Sequence, residues 1–160
     1  MDLDSAWRWY LKAADQGDSK AQYELGVLYE HGDGTLQDYP TAVAWFKRAA
    51  DSGHSKARMK LGNLYRDGRG VPQDDTIAAH WILRAAEQGE ISAQISASVL
   101  YQEGLGVPKN YVESYKWAAI AANRGEIFAF AFVRAIELKM TAAEIEEARI
   151  RVESWSPKVF

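Results

Sequence analysis

The sequence predicts an all-α fold, an αα-solenoid of about nine helices built from stacked helix-turn-helix repeats. Three observations predict it. Trp9, Trp45, Trp81 and Trp117 recur at a constant spacing of 36 residues, as do Gly17, Gly53, Gly89 and Gly125. The same ruler carries Ala21, Ala57, Ala93 and Ala129, and the pairs Ala13-Ala14, Ala49-Ala50, Ala85-Ala86 and Ala121-Ala122, without insertion or deletion. Each period holds two amphipathic segments joined by two different turns. A fixed period of this length marks supersecondary units that cannot bury their apolar faces alone and must stack.

The chain opens on a helix over 3–16 that is second-type in the repeat, with Asp2 in the N-cap register of Asp38, Asp74 and Asn110. First-type helices are predicted over 19–31, 55–67, 91–103 and 127–139, and second-type helices over 39–52, 75–88 and 111–124. In one first-type segment Ala57, Leu61, Leu64 and Tyr65 fall on a single stripe at helical spacing. Asp67-Gly68-Arg69-Gly70-Val71-Pro72 ends that helix, because glycine accepts the positive φ of a helix C-terminus and proline prevents continuation. Asp74 then offers a carboxylate to the first-turn amides of the next helix. There Ala78, Trp81, Ile82, Ala85 and Ala86 share a face, which Gly89 closes. The alanines let neighbouring helices approach, and the tryptophan fills the volume between them. After the fourth first-type helix Met140 takes the place of Gly32, Gly68 and Gly104. Thr141-Ala142-Ala143-Glu144 reads as a capping box, and the helix after it carries Ile145, Ala148, Val152 and Trp155 on one stripe. This is the terminal cap that an open array requires. The expected organisation is one repeat domain over 1–160: an opening second-type helix at 1–17 without its partner, repeats at 18–53, 54–89 and 90–125, and a divergent last repeat with its capping helix at 126–160.

Composition narrows the function classes. Hydrophobic residues make up 48% of the 160 and charged residues 26%, a globular balance with enough chain for one substantial core. The net charge of −3 offers no basic footprint for nucleic acid. With no cysteine, disulfides, Cys-ligated zinc and thiol catalysis are excluded. No apolar run approaches a membrane span, and Met1-Asp2-Leu3-Asp4-Ser5 has no signal-peptide features. A processed chain would read the same way, so the compartment is left open between cytoplasm and periplasm or exterior.

The residues Ala57, Leu61-Gly62, Tyr65 and Gly68-Arg69-Gly70-Val71-Pro72-Gln73-Asp74, followed by Ala78, Trp81 and Arg84-Ala85-Ala86-Glu87-Gln88-Gly89, resemble the Sel1-like repeat family, an α-solenoid related to tetratricopeptide repeats. The resemblance covers about residues 2–139. It implies a right-handed superhelix with first-type helices along its concave side, and a role as a protein-interaction scaffold. Many bacterial members are envelope or secreted proteins, including adaptors and immunity proteins against toxins. One branch, with a disulfide in every repeat, is linked to β-lactam binding; this chain departs from that branch, and the activity is not carried over.

No linear motif for chemistry appears. His31, His54 and His80 are single residues in different phases of the repeat, and His54 and His80 read as solvated surface histidines. There is no Ser-x-x-Lys pair, Gly-x-Ser-x-Gly elbow or phosphate-binding loop. The Gly-x-Gly turns follow helices instead of strands, so they read as helix stops. Asp74-Asp75 and Glu146-Glu147 read as caps or solvated charge. No catalytic residue, metal ligand or cofactor is expected.

The expected function is therefore non-catalytic: a scaffold, adaptor or inhibitory binder, an immunity protein being one version, that holds a peptide or protein loop in the concave groove. The alternatives are a small-molecule-binding or hydrolytic protein using a cleft in that groove, where only His31 has acidic neighbours, and a fragment of a larger scaffold. By analogy with tetratricopeptide grooves, the partner-facing residues are Lys20, Tyr23, Glu24, Val27, Glu30 and His31, then Lys56, Met59, Lys60, Asn63, Arg66 and Asp67, then Ser92, Ile95, Val99, Gln102 and Glu103, with Phe128 from the last repeat. This surface has an apolar centre and charged margins, with Lys20, Lys56 and Lys60 toward one end and Glu30, Asp67 and Glu103 toward the other. Trp9, Trp45, Trp81 and Trp117 are assigned to the structural framework.

Two breaks in the ruler carry further expectations. Phe128, Phe130 and Phe132 stand where earlier repeats have polar residues, so either the cap helix and the Val159-Phe160 tail cover them or a partner does. Trp7, on the opening helix, is expected to be exposed at an edge covered by self-association, upstream repeats or a partner.

Overall fold

The computed structural model describes residues 3–159, with the side chains of residues 3–6 excepted. The described residues form nine α-helices and no strand. By contact the chain divides into two compact units, Met1–Asp74 and Asp75–Phe160. The first holds α1 (Leu3–Asp15), α2 (Ser19–His31), α3 (Tyr39–Asp51) and α4 (Ser55–Asp67). The second holds α5 (Asp75–Glu87), α6 (Ile91–Glu103), α7 (Tyr111–Asn123), α8 (Ile127–Glu137) and α9 (Ala142–Glu153). Within each unit consecutive helices α1 to α4 and α5 to α8 pack on one another, and α9 packs on α7.

Caps set the helix ends where the ruler predicts them. Asp38 Oδ1 accepts from the Thr41 amide at 3.1 Å and Asn110 Oδ1 from the Glu113 amide at 3.0 Å. The Asp2 cap lies outside the described residues. Gly32, Gly68 and Gly104 close the first-type helices in the left-handed region. Thr141 and Glu144 form the reciprocal capping box of α9. The hydroxyl and amide of Thr41 hold the Asp38 carboxyl below its usual range, and the amide and hydroxyl of Thr141 do the same for Glu144. Both carboxyls thus have folded-state values lower than unfolded ones, so their contribution is present at neutral pH and is lost as pH falls through the folded values. The urea midpoint is expected to drop on acidification below about pH 4. Part of that drop should vanish in an Asp38→Asn, Glu144→Gln double variant.

The core is small side chains around a few large ones. Leu25, Phe46 and Leu61 are fully buried in the first unit, and Ile82, Gln94, Ser98, Ser114 and Ile136 in the second. The buried polar residues satisfy a repeated need. Gln22 Nε2 donates to the Ala14 carbonyl at 3.1 Å, Arg58 Nε to Ala50 at 3.0 Å and Gln94 Nε2 to Ala86 at 3.2 Å. Each gives a second donor to a carbonyl at the end of the preceding helix, where Gly17, Gly53 and Gly89 already donate a backbone amide. Phe130 holds that register in the last repeat and has no donor to offer.

The framework tryptophans are not equivalent. Trp117 is 3% exposed and Trp81 8%, whereas Trp9 is 62% exposed. Trp45 shows why: it packs back onto the cluster of Ala14 from α1 and Ala21 and Leu25 from α2, the first-type helix that precedes it. Among the described residues no first-type helix precedes α1, so Trp9 meets solvent. Trp7, expected to be the exposed one, is half-buried and packs with Tyr10 and Leu11 on that same cluster.

Candidate interaction surfaces

In the first unit, the inner registers of α2 and α4 share a surface. Lys60 Nζ of α4 lies 2.6 Å from Glu30 Oε2 of α2. These two charges are therefore joined, not held at opposite ends, because the lysine stem spans the distance between their registers. Tyr23, Glu24, Val27 and Glu30 on α2 are half-buried, as are Met59, Lys60, Asn63 and Arg66 on α4, while Lys20, His31, Lys56 and Asp67 are exposed. Arg66 Nε pairs with Asp67 Oδ1 at 3.1 Å. The Asn63 side-chain oxygen Oδ1 is buried and has no hydrogen-bond partner. Such an acceptor carries a desolvation cost of roughly 1–3 kcal/mol, which a ligand donor would relieve.

Two residues here have structural duties. The Tyr23 ring stacks on His54 at 4.8 Å with 16° between planes, and tilts against Phe46 at 5.7 Å. His54 is not a solvated surface histidine: its Nδ1 accepts from the Ala57 amide at 3.2 Å and caps α4. The cap register and an aromatic neighbour from α2 explain the difference. His80 is exposed, as expected, with its ring edge-on to Trp81 at 5.3 Å. His31 Nδ1 is 4.0 Å from Asp33 Oδ2, both side chains being more than half exposed. No group of three or more metal-ligating side chains occurs among the described residues.

In the second unit, Ile95, Val99 and Gln102 on α6 are half-buried, and Ser92 and Glu103 are exposed. Ile95 packs with Ile91 on Ala121, Ala122 and Ala129, which leaves it less free than its register implies. Phe128 is 78% exposed and Phe130 55%. Phe132 alone of the three is drawn into the cluster of Tyr115, Ile136 and Ala148. The cap helix thus covers one phenylalanine and leaves two bare. The tail runs elsewhere, the Lys158 amide donating to the Glu87 carbonyl at 2.8 Å and Lys158 Nζ pairing with Glu87 at 3.0 Å.

One cleft escaped sequence reasoning. About 440 Å³ opens between Glu87, Glu113, Lys116, Trp117, Arg151, Trp155 and Lys158. Glu113 is paired with Lys116 at 2.6 Å and with Arg151, which also binds Glu147 at 2.6 Å. Burial raises the Tyr101 hydroxyl, and Glu113 and Glu87 add to the effect. Because the lining comes from positions 71 residues apart, no linear motif signals it.

A model of the Sel1 repeat matches residues 2–18, 19–54, 55–90 and 91–126. The chain belongs to the Sel1 repeat family. Its nine described helices form the family's α-solenoid architecture. This Sel1 chain is similar in structure to a protective antigen of uropathogenic Escherichia coli that displays an SLR fold, with TM-score 0.86 and 34% identity over 98% of this chain and 34% of that one. A Sel1 repeat protein of Oxalobacter formigenes gives TM-score 0.74 and 36% identity over 79% of this chain and 95% of the other. DAP3-binding cell death enhancer 1 of Rattus norvegicus is 50% identical over 42 residues, and that of Mus musculus 48%, each match covering 26% of this chain and 8% of the relative. The chain thus spans a small part of those relatives and about a third of the antigen. Sel1 repeat proteins generally mediate protein–protein interactions, and the scaffold is generally non-catalytic. Among the described residues no helix is long and apolar enough to cross a membrane.

Proposed function

We propose that this Sel1 chain is a non-catalytic binder of another protein or peptide, which it engages through the joined inner faces of α2 and α4. The observation that carries the reading is the buried, unpartnered side-chain amide oxygen of Asn63 on α4, the helix that also carries the half-buried Met59 and Lys60. A partner's backbone amide supplies the missing donor while an apolar side chain packs on Val27 and Met59. The Lys60–Glu30 pair and the exposed Lys20, Lys56 and His31 form the polar rim. The exposed margin of α6 in the second unit, with Ser92 and Glu103, is a separate contact surface. Binding of this kind suffices for an adaptor or for an inhibitor that covers another protein's functional surface, as an immunity protein does. The rat and mouse relatives, named for a binding activity, support a binding role for this repeat.

The test uses Asn63→Leu and Met59→Ala, singly and together, in affinity capture from the source organism. Tyr23 is left intact because it supports His54 and Phe46. Replacing an unsatisfied acceptor by an apolar group of similar size is nearly neutral for folding, so the melting temperature of Asn63→Leu should hold. Its affinity for the captured partner should fall about tenfold, near 1.4 kcal/mol. Full retention by the double variant removes the α2–α4 face from the account.

A further inference from the structure

The chain after α9 crosses the second unit as a strap. Residues 155–159 carry no regular structure, and Ser156, Pro157, Lys158 and Val159 are exposed. The strap grips at two points. The Trp155 ring lies edge-on to Trp117 of α7, 6.2 Å between centroids. Three residues on, the Lys158 amide donates to the Glu87 carbonyl at 2.8 Å, and the Lys158 ammonium pairs with the Glu87 carboxylate at 3.0 Å. Three residues of extended chain span about 10 Å, which carries the strap from α7 to the end of α5.

An aromatic anchor, a main-chain bond and a charge are the means by which a groove holds an extended peptide. Glu87 is the last residue of α5. Its carbonyl is therefore among those the helix leaves without an internal partner, and the helix dipole adds to the pull of its carboxylate on a cation. Of the two carboxylates lining the 440 Å³ cleft, Glu113 is held by Lys116 and Arg151, and Glu87 by the strap's own lysine. Lifting the strap frees Glu87 and bares the edge of Trp117, which is the complement of an aromatic residue followed by a cation.

The cap does not depend on the strap. Ala148 and Val152 hold α9 in the cluster with Val112 and Tyr115, Arg151 ties it to Glu113, and its own capping box sets its start. The strap also fits imperfectly. Trp155 Nε1 is buried with no hydrogen-bond partner, a desolvation cost that a phenylalanine in the same place would not carry.

We infer that this cleft is a docking groove for an extended segment of another protein that carries an aromatic residue and, three positions later, a lysine or arginine, with residues 155–158 as its built-in competitor. A tethered competitor acts at a high effective concentration, and a strap closed nine-tenths of the time lowers the apparent affinity about tenfold. The groove thus answers to a segment that fits better than the strap or is delivered at high local concentration. It is separate from the α2–α4 face, and either can fail alone.

The probe is a fluorescein-labelled peptide of residues 154–159, titrated with the full 160-residue chain and read by fluorescence anisotropy, with helix content by circular dichroism as the folding control. The Trp155→Ala, Lys158→Ala chain should bind it about tenfold more tightly than the wild-type chain, because the competitor is gone. Should that variant lose helix content, Lys158→Ala alone takes its place, with an expected gain of about threefold. Adding Glu87→Lys should weaken binding about tenfold or more, and a peptide carrying Lys158→Glu should recover it by restoring the pair with exchanged signs. A weakened strap that gives no gain in peptide binding overturns the inference and leaves the strap a purely structural brace. Binding indifferent to Glu87→Lys, or not recovered by the exchanged peptide, overturns it equally.

Discussion

Truncating Trp117 to alanine is expected to lower the unfolding free energy by about 3–5 kcal/mol, the range for removing a buried aromatic ring. Trp117 is 3% exposed, meets the Trp155 ring edge-on at 6.2 Å, and lies under the Lys116 ammonium at 4.4 Å. Its loss opens a cavity between α7 and the segment after α9, and leaves Trp155 without the ring it packs against. Trp9→Ala is the control, because the same register there is 62% exposed. A surface truncation of this kind stays within about 1 kcal/mol. Urea unfolding of the two variants should differ by more than 2 kcal/mol, roughly one large cavity. Equal losses would contradict the assignment of distinct roles to residues on one ruler.

Gly106→Ala is expected to be the second large effect. Gly106 has φ 67°, and a methyl group on it would overlap the Asp75 carbonyl and approach the Thr76 nitrogen at 2.9 Å. Left-handed backbone strain costs about 1–2 kcal/mol for a non-glycine residue, and overpacking against an unyielding backbone about 1–3 more. Gly104→Ala supplies the comparison. It has φ 76° but its nearest neighbour would be the Lys109 Cβ at 3.5 Å, an ordinary contact. The strain is shared and the overlap is not, so Gly106→Ala should be the worse variant by roughly 1–3 kcal/mol. Similar midpoints for both would mean that the second glycine serves only as a turn.

These two residues also show what the sequence could and could not reveal. The helices fall within two residues of their predicted ends, because an unbroken 36-residue ruler averages the cap and turn signals of four copies. Periodicity, however, says which residues are equivalent and nothing about what lies beside each one. Trp9 and Trp117 are indistinguishable on the ruler, yet one faces solvent and the other the cap. Gly-x-Gly reads as a helix stop from its first glycine; the second, at Gly70 and Gly106, is needed because the helix start one repeat earlier touches it. The Gln22, Arg58 and Gln94 donors were hidden for a different reason. A polar residue in an apolar stripe looks like a surface position until the helix-end carbonyl eight residues earlier is in view.

For the candidate surface, the registers placed Met59 and Asn63 on the α4 face, but only three dimensions separate them from Tyr23, which supports His54 and Phe46. The cleft around Glu113 and the bare face of α8 arise where the last repeat leaves the ruler. There α9 packs on α7, and the Phe128 and Phe130 side chains remain in solvent.

The claim that α2 and α4 hold a protein partner is tested most directly by amide hydrogen exchange of the chain with and without the captured partner. Binding through that face predicts added protection in peptides spanning Ser19–His31 and Ser55–Asp67, centred on Val27, Met59 and Asn63. Protection confined to α8 or to the α7–α9 cleft, with α2 and α4 unchanged, would contradict it.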